Sequence, residues 1–139
     1  MRKVGERLFF LRVSKELFDK RKKMEIIEFE VRRANKSSYY ATQIGEDIAY
    51  RFRQSNDEYV DRTSTFGYHL SYIFLSEDKE EAEEIYRTIL AEDERRFKLI
   101  DYIESSINEI HNLKDEKLLE IALALGAKEE EFEMKEIKA

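Results

Sequence analysis

A chain of 139 residues, 42% apolar and 40% charged, with a net charge of −6 and neither cysteine nor proline, has the length of one domain and enough apolar residues for a core. Disulfides and thiolate metal sites are excluded, and no apolar run approaches the roughly 18 residues of a membrane span. Charge is polarised along the chain: Met1 to Ser55 carries 14 Lys+Arg against 8 Asp+Glu, and the remainder 11 against 23. Bulk attraction to nucleic acid is therefore not expected, although a local basic face stays open to it. The first residues lack the apolar stretch of a signal peptide, so a cytoplasmic location is the expectation.

Arg7 to Ser14 aligns either as a helix, with Phe10, Val13 and Leu17 on one side, or as a strand. Its aromatic and branched content favours the strand. Asp19 to Lys23 follows as a basic turn. Ile27, Phe29 and Val31 then alternate with Glu28, Glu30 and Arg32, the pattern of a half-buried antiparallel strand over Met24 to Arg33. Asn35 to Ser38 is a turn, and Ser38 to Thr42 returns as a third strand. Beyond Gly45, Ile48, Tyr50 and Phe52 alternate as a fourth. Gln54 to Ser64 reads as polar loop with a weak strand signal at Tyr59-Val60, and Gly67 precedes a fifth strand, Tyr68 to Leu75. Consecutive strands with short connections predict an antiparallel β-meander, curled into a small barrel or covered on one face by a helix.

Ser76 is placed to cap that helix, and Glu77, Asp78, Glu80 and Glu81 put negative charge at its positive end. Apolar residues keep helical phase at Ala82, Ile85, Tyr86, Ile89, Phe97, Ile100, Ile103, Ile107 and Ile110, skipping only the polar run Glu92 to Arg96. An unbroken helix from Glu77 to Leu113 would span about 55 Å. A break or bend near Ala91 to Arg96 is favoured over a far half that projects and buries its stripe on a partner. Ile89, Ile103 and Ile110 lie at multiples of seven, with Ile100 and Ile107 in a second row. A homodimer seam through Ile89, Ile100, Ile103 and Ile107 is thus open beside the favoured packing on the sheet. Asp115 is placed to cap a shorter helix with Leu118, Leu119, Ala122 and Leu125 on its apolar side and Gly126 as its stop. The fold class is α+β: a single domain over 1–139, mainly β to residue 75, helical over 76–126, with an acidic tail over 127–139. That tail, with Phe132, Met134 and Ile137, is an edge strand or, favoured by its charge, disordered.

No catalytic constellation, metal set or cofactor motif is apparent, and a non-enzymatic role follows as the expectation. His69 and His111 stand 42 positions apart with no partner motif, and the glycines are too scattered to cradle a phosphate. Two charged sets remain. Glu80, Glu81, Glu83 and Glu84 form either a solvated helix face or a protein-binding surface that imitates a phosphate backbone. Lys22, Lys23, Arg32, Arg33, Tyr39 and Tyr40 form either a nucleic-acid-binding sheet face or a protected sheet edge with one tyrosine in the core.

The succession Ile27-Glu28-Phe29-Glu30-Val31, Asn35 to Tyr40, and Ile73-Phe74-Leu75-Ser76 leading to Lys79-Glu80-Glu81-Ala82 resembles small phage and mobile-element proteins. In those a β-meander passes through a Phe-Leu-Ser/Thr step into an acidic helix. The resemblance covers Met24 to Leu90. It implies a phage-encoded, protein-binding accessory factor that inhibits a host defence protein in the host cytoplasm, and it carries over no site residues.

Overall fold

The computed structural model describes residues 1–61, 63–65 (backbone only) and 67–132. It divides into two compact units, Met1–Arg95 and Arg96–Ala139. In the first, strands β1 (Arg7–Glu16), β2 (Lys23–Ala34), β3 (Ser38–Gln43), β4 (Ala49–Arg53), β5 (Thr63–Thr65) and β6 (Tyr68–Ser76) form one antiparallel sheet in the order β4-β3-β2-β1-β6-β5. The five expected strands are all present, and the aromatic run of β1 is a strand, not a helix. The short β5 lies in what reads as loop, and Tyr59 forms an isolated bridge to Phe52. Strands β1 to β4 follow one another as a meander. The chain then returns to add β6 on the other side of β1.

The tight turn between β2 and β3 is set by Asn35, whose Oδ1 accepts from the backbone N–H groups of Ser37 (3.0 Å) and Ser38 (2.9 Å). An Asn side chain that substitutes for a backbone carbonyl in this way fixes the hairpin register. Two register shifts matter. One falls between Phe9 and Phe10 against β6, the other between Val31 and Arg33 against β3. A bulge changes which residues share a face, and the second one sends Arg32 and Arg33 to the same side.

Alternation divides the sheet into two faces. Leu8, Phe10, Ile27, Phe29, Val31, Tyr39, Ala41, Phe52, Tyr59 and Tyr72 make one buried cluster, with Ala34, Tyr50, Leu70 and Phe74 packed against it. Rings of strands far apart in the order meet here: Phe10 to Phe52 at 4.5 Å and Tyr50 to Tyr72 at 5.1 Å between centroids. In a flat sheet β4 and β6, four spacings apart, would be separated by about 19 Å, so the sheet is curled into a half-barrel around its own aromatic filling. Tyr39 is wholly buried, stacked on Phe52 at 5.4 Å, and its hydroxyl donates to Asp57 Oδ1 at 2.7 Å. Asp57, in the left-handed region at φ 56°, also takes the Arg2 guanidinium through Nε and Nη2, both at 3.0 Å.

The opposite face of β1 buries Phe9, Leu11 and Val13, which need a cover. Helix α1 (Lys79–Asn108) is held to the first unit at three points. Ala82 is wholly buried, the Tyr86 hydroxyl donates to the Met24 carbonyl at 3.0 Å, and Arg21 pairs with Asp93 and Glu94, each at 2.9 Å. The start of α1 corrects the capping expectation by two residues. Asp78 is the cap, its Oδ2 accepting from Glu81 N–H at 3.0 Å, while Ser76 Oγ accepts from Asp78 N–H one step earlier. The expected break near Ala91 to Arg96 is absent. Glu92 to Arg96 contains neither glycine nor proline and is dominated by good helix formers, and Arg21 fastens its middle.

From Arg96 onward the second unit contains the end of α1, a 3-10 turn at Ile110–Asn112, helix α2 (Asp115–Ala124) and a 3-10 turn at Glu129–Phe132. Asp115 is the first helical residue of α2 and not its cap; Lys114 holds the cap position without a side-chain hydrogen bond. Gly126, at φ 100°, terminates α2 as expected, with Ala127 N–H on Ala122 O at 3.1 Å and Gly126 N–H on Leu123 O at 3.0 Å, the pairing of a Schellman stop. Of the tail, Met134 and Ile137 lie outside the described residues.

Two measurements test this packing. Phe10 meets Phe29, Phe52 and Phe74, so Phe10→Ala is expected to lower stability by about 3 to 5 kcal/mol, read as a shift of the urea midpoint. A loss under 1 kcal/mol would remove Phe10 from the centre of the core. Tyr39 and Tyr72 both ionise above the usual tyrosine range, burial being the first cause and a hydrogen bond, to Asp57 and to Tyr50 respectively, the second. An unfolded chain ionises its tyrosines near pH 10. Below that value the stabilisation from burying neutral phenols is complete; above it the unfolded chain releases protons that the folded chain retains, and stability falls. Urea midpoints flat from pH 8 to 9 and declining above about pH 10 are expected, with a shallower decline in Tyr39→Phe.

Candidate functional site

The acidic set lies on the first two turns of α1. At roughly 100° per residue, Glu80, Glu81, Glu83 and Glu84 cover an arc of about 160°, opposite Ala82. Glu80, Glu81 and Glu84 are exposed and Glu83 is half-buried. No ion pair involves these carboxylates among the described residues, so they do form one negative surface, with Arg87 one turn beyond it.

The basic and aromatic set does not stay together. Lys22 and Lys23 are exposed at the start of β2, and Arg32 and Arg33 near its end. Those pairs are separated by nine strand steps, about 30 Å. Tyr39 is corrected outright: it is part of the core and has no face free for stacking, which matches the reading of one tyrosine as core. Tyr40 points to the other face, half-buried, with the Arg33 guanidinium carbon 4.1 Å from its ring centroid. Arg32 pairs with Glu30 at 2.9 Å and donates to Thr42 Oγ1 at 3.1 Å. The register places Arg51 directly across from Tyr40 and Arg53 across from Ser38, so both join this face. The sequence already carries the signal for them: arginines alternate with Tyr50 and Phe52, which sets them on the face opposite the core.

Other polar features are committed to the structure. An open depression of about 600 Å³ is lined by Arg2, Asp57 and Glu77 among others, but Arg2 is already held by Asp57 and Glu77 and lies over Phe74 at 4.8 Å. Arg12 pairs with Glu25 at 3.7 Å and its Nε is buried without a hydrogen-bond partner. His69 and His111 are both exposed. Among the described residues no cluster of three or more His, Asp or Glu side chains is arranged to hold a metal.

The second unit presents a different surface. None of its described residues is buried. Leu99, Ile100, Tyr102, Ile103 and Ile107 are exposed by 53%, 41%, 74%, 55% and 56%, and they follow one side of α1. Ile89, placed in the same series, is half-buried within the first unit. Beside the exposed row a depression of about 430 Å³ is lined by Tyr102, Ile103, Ile107, Ile110, Leu113 and Ile121, with Ser106, Glu109 and Lys117 at its polar margin. Soluble domains bury such residues, each contributing about 1.5 to 3 kcal/mol when removed from water, and a contiguous apolar patch marks an interaction surface. This exposed row is the site with the clearest physical demand for an occupant.

The architecture is α+β, a curled antiparallel sheet followed by a long helix and a shorter one. No protein-family model, curated protein or solved structure matches the chain. No helix among the described residues is long and apolar enough to cross a membrane.

Proposed function

We propose that the protein is a non-enzymatic binding factor that docks a partner protein on the apolar side of its C-terminal helical unit. The observation that carries this reading is a helical unit rich in leucine and isoleucine in which no described side chain is buried. A partner that supplies apolar side chains to the depression between Tyr102 and Ile121 would complete a core that the unit lacks by itself, in the manner of a helix laid in a groove. The acidic arc of Glu80, Glu81, Glu83 and Glu84 would steer a basic partner toward the molecule. The resemblance to small phage proteins supports placing this activity in a host cytoplasm, as inhibition of a defence protein.

The test is retention of a protein from the native host by the tagged wild type, against a variant carrying Ile103→Glu and Ile107→Glu. The expected outcome is that a specific protein is held by the wild type and lost, by at least tenfold, from the variant, with the far-UV spectrum and the thermal transition of the sheet unchanged. Equal retention by both would reject the surface. Light scattering on the purified protein separates the alternatives: a dimer that the same variant dissociates would make the occupant a second copy. Replacing the four glutamates by glutamine is expected to slow association several-fold at low salt. Loss of binding that persists at high salt would instead make the acidic arc the docking surface.

A further inference from the structure

The outward face of β2, β3 and β4 has a composition unlike the rest of the molecule. Of the strand arginines described with side chains, Arg7, Arg12 and Arg32 each pair with a carboxylate, Glu28, Glu25 and Glu30. Arg33, Arg51 and Arg53 have none. All three are exposed, and in register they surround Tyr40: Arg33 opposite it on β2, Arg51 opposite it on β4, and Arg53 two residues further along the same face. Arg51 is aimed by a 3.3 Å hydrogen bond from Nε to Ser38 Oγ, which leaves its terminal amines outward. Glu58 lies on the segment that pairs with the end of β4 through Arg53 N–H on Glu58 O at 2.9 Å.

In a chain of net charge −6, unneutralised arginines gathered on one outward face cost self-repulsion that a polyanion would relieve. The Arg33 guanidinium lies over the Tyr40 ring at 4.1 Å, so the two form a cation–π pair with Arg51 and Arg53 beside it. Phosphate alone would need only the cations. A flat π-surface between them suits a ligand that alternates phosphates with planar bases, and bases are available for stacking only where they are unpaired. We propose that this face binds single-stranded nucleic acid, a base stacking on the Arg33–Tyr40 pair while Arg51 and Arg53 hold the neighbouring phosphates. Adjacent strands are about 4.8 Å apart, so the row from Arg33 to Arg51 spans roughly 10 Å, comparable to one or two nucleotides. The inference concerns the first unit alone and is independent of the protein-binding reading above.

The experiment is fluorescence anisotropy of the full chain with labelled 20-mers of deoxythymidine and of uridine, from 20 to 300 mM salt. Binding is expected at low salt, weakening with salt. Tyr40→Leu is expected to weaken it about five- to hundredfold, the loss of one stacked base, and Tyr40→Phe to leave it within twofold. Arg51→Gln and Arg53→Gln are each expected to lower the slope of log affinity against log salt by about 0.7. These arginines are exposed, so their variants test the site even if Tyr40→Leu unfolds, which circular dichroism checks. No binding at 20 mM salt overturns the proposal. So does equal affinity for duplex DNA, polyglutamate or phosphatidylserine vesicles, which would make the face a general anion or membrane surface, and so does binding indifferent to Arg51 and Arg53.

Discussion

The contact between the rings of Phe10 and Phe52, 4.5 Å apart across three strand boundaries, is the constraint on which the first unit depends. It exists only if the sheet curls, and the curl exists only because aromatic side chains from β1, β2, β4 and β6 are large enough to fill the concavity they create. Edge-to-face arrangements such as Phe10–Phe29 and Phe29–Tyr72, both at 5.4 Å, contribute beyond the area they bury. The sheet therefore carries its own core, without a second sheet.

That economy explains where the polar side chains go. The buried Tyr39 hydroxyl could not be left unsatisfied at low cost, and Asp57 answers it; Asp57 in turn would be costly without Arg2. The three groups form one chain of donors and acceptors that ties the first residues of the protein to the core. Because Arg2, Arg7, Arg12, Arg21 and Arg32 are neutralised in such structural roles, Arg33, Arg51 and Arg53 stand out as cations without a carboxylate partner.

Most of the sheet was legible from alternation alone. Ile27, Phe29 and Val31, then Tyr50 and Phe52, point inward as a period of two demands. The order of strands was not legible, because nothing local to β6 says that it pairs with β1 in preference to β4; that choice is made by ring packing between residues more than 60 positions apart. The helix cap was misplaced by two residues because the hydroxyl of Ser76 and the carboxylate of Asp78 both suit the role, and only the geometry of the turn shows the second closing on Glu81. Continuity through Glu92 to Arg96 was misjudged for a different reason. A polar interruption of an apolar stripe signals a change of surroundings, not of backbone, and the anchoring of Asp93 and Glu94 by Arg21 is a contact between residues 72 and 73 apart. Of the candidate sites, the acidic arc needs only helical periodicity to be seen, whereas the face around Tyr40 depends on a bulge after Val31 that no propensity foretells.

Strand β6 ends at Ser76 and helix α1 begins at Lys79, with only Glu77 and Asp78 between them. A junction that short transmits geometry instead of absorbing it. One residue gained or lost there would turn the helix by about 100° about its axis, carrying Ala82 off the sheet and bringing Glu81 or Glu83, at the edge of the acidic arc, into its place. Length variation among relatives of this chain would accordingly be purged from the two-residue link, which acts as the phase-setting joint of the molecule.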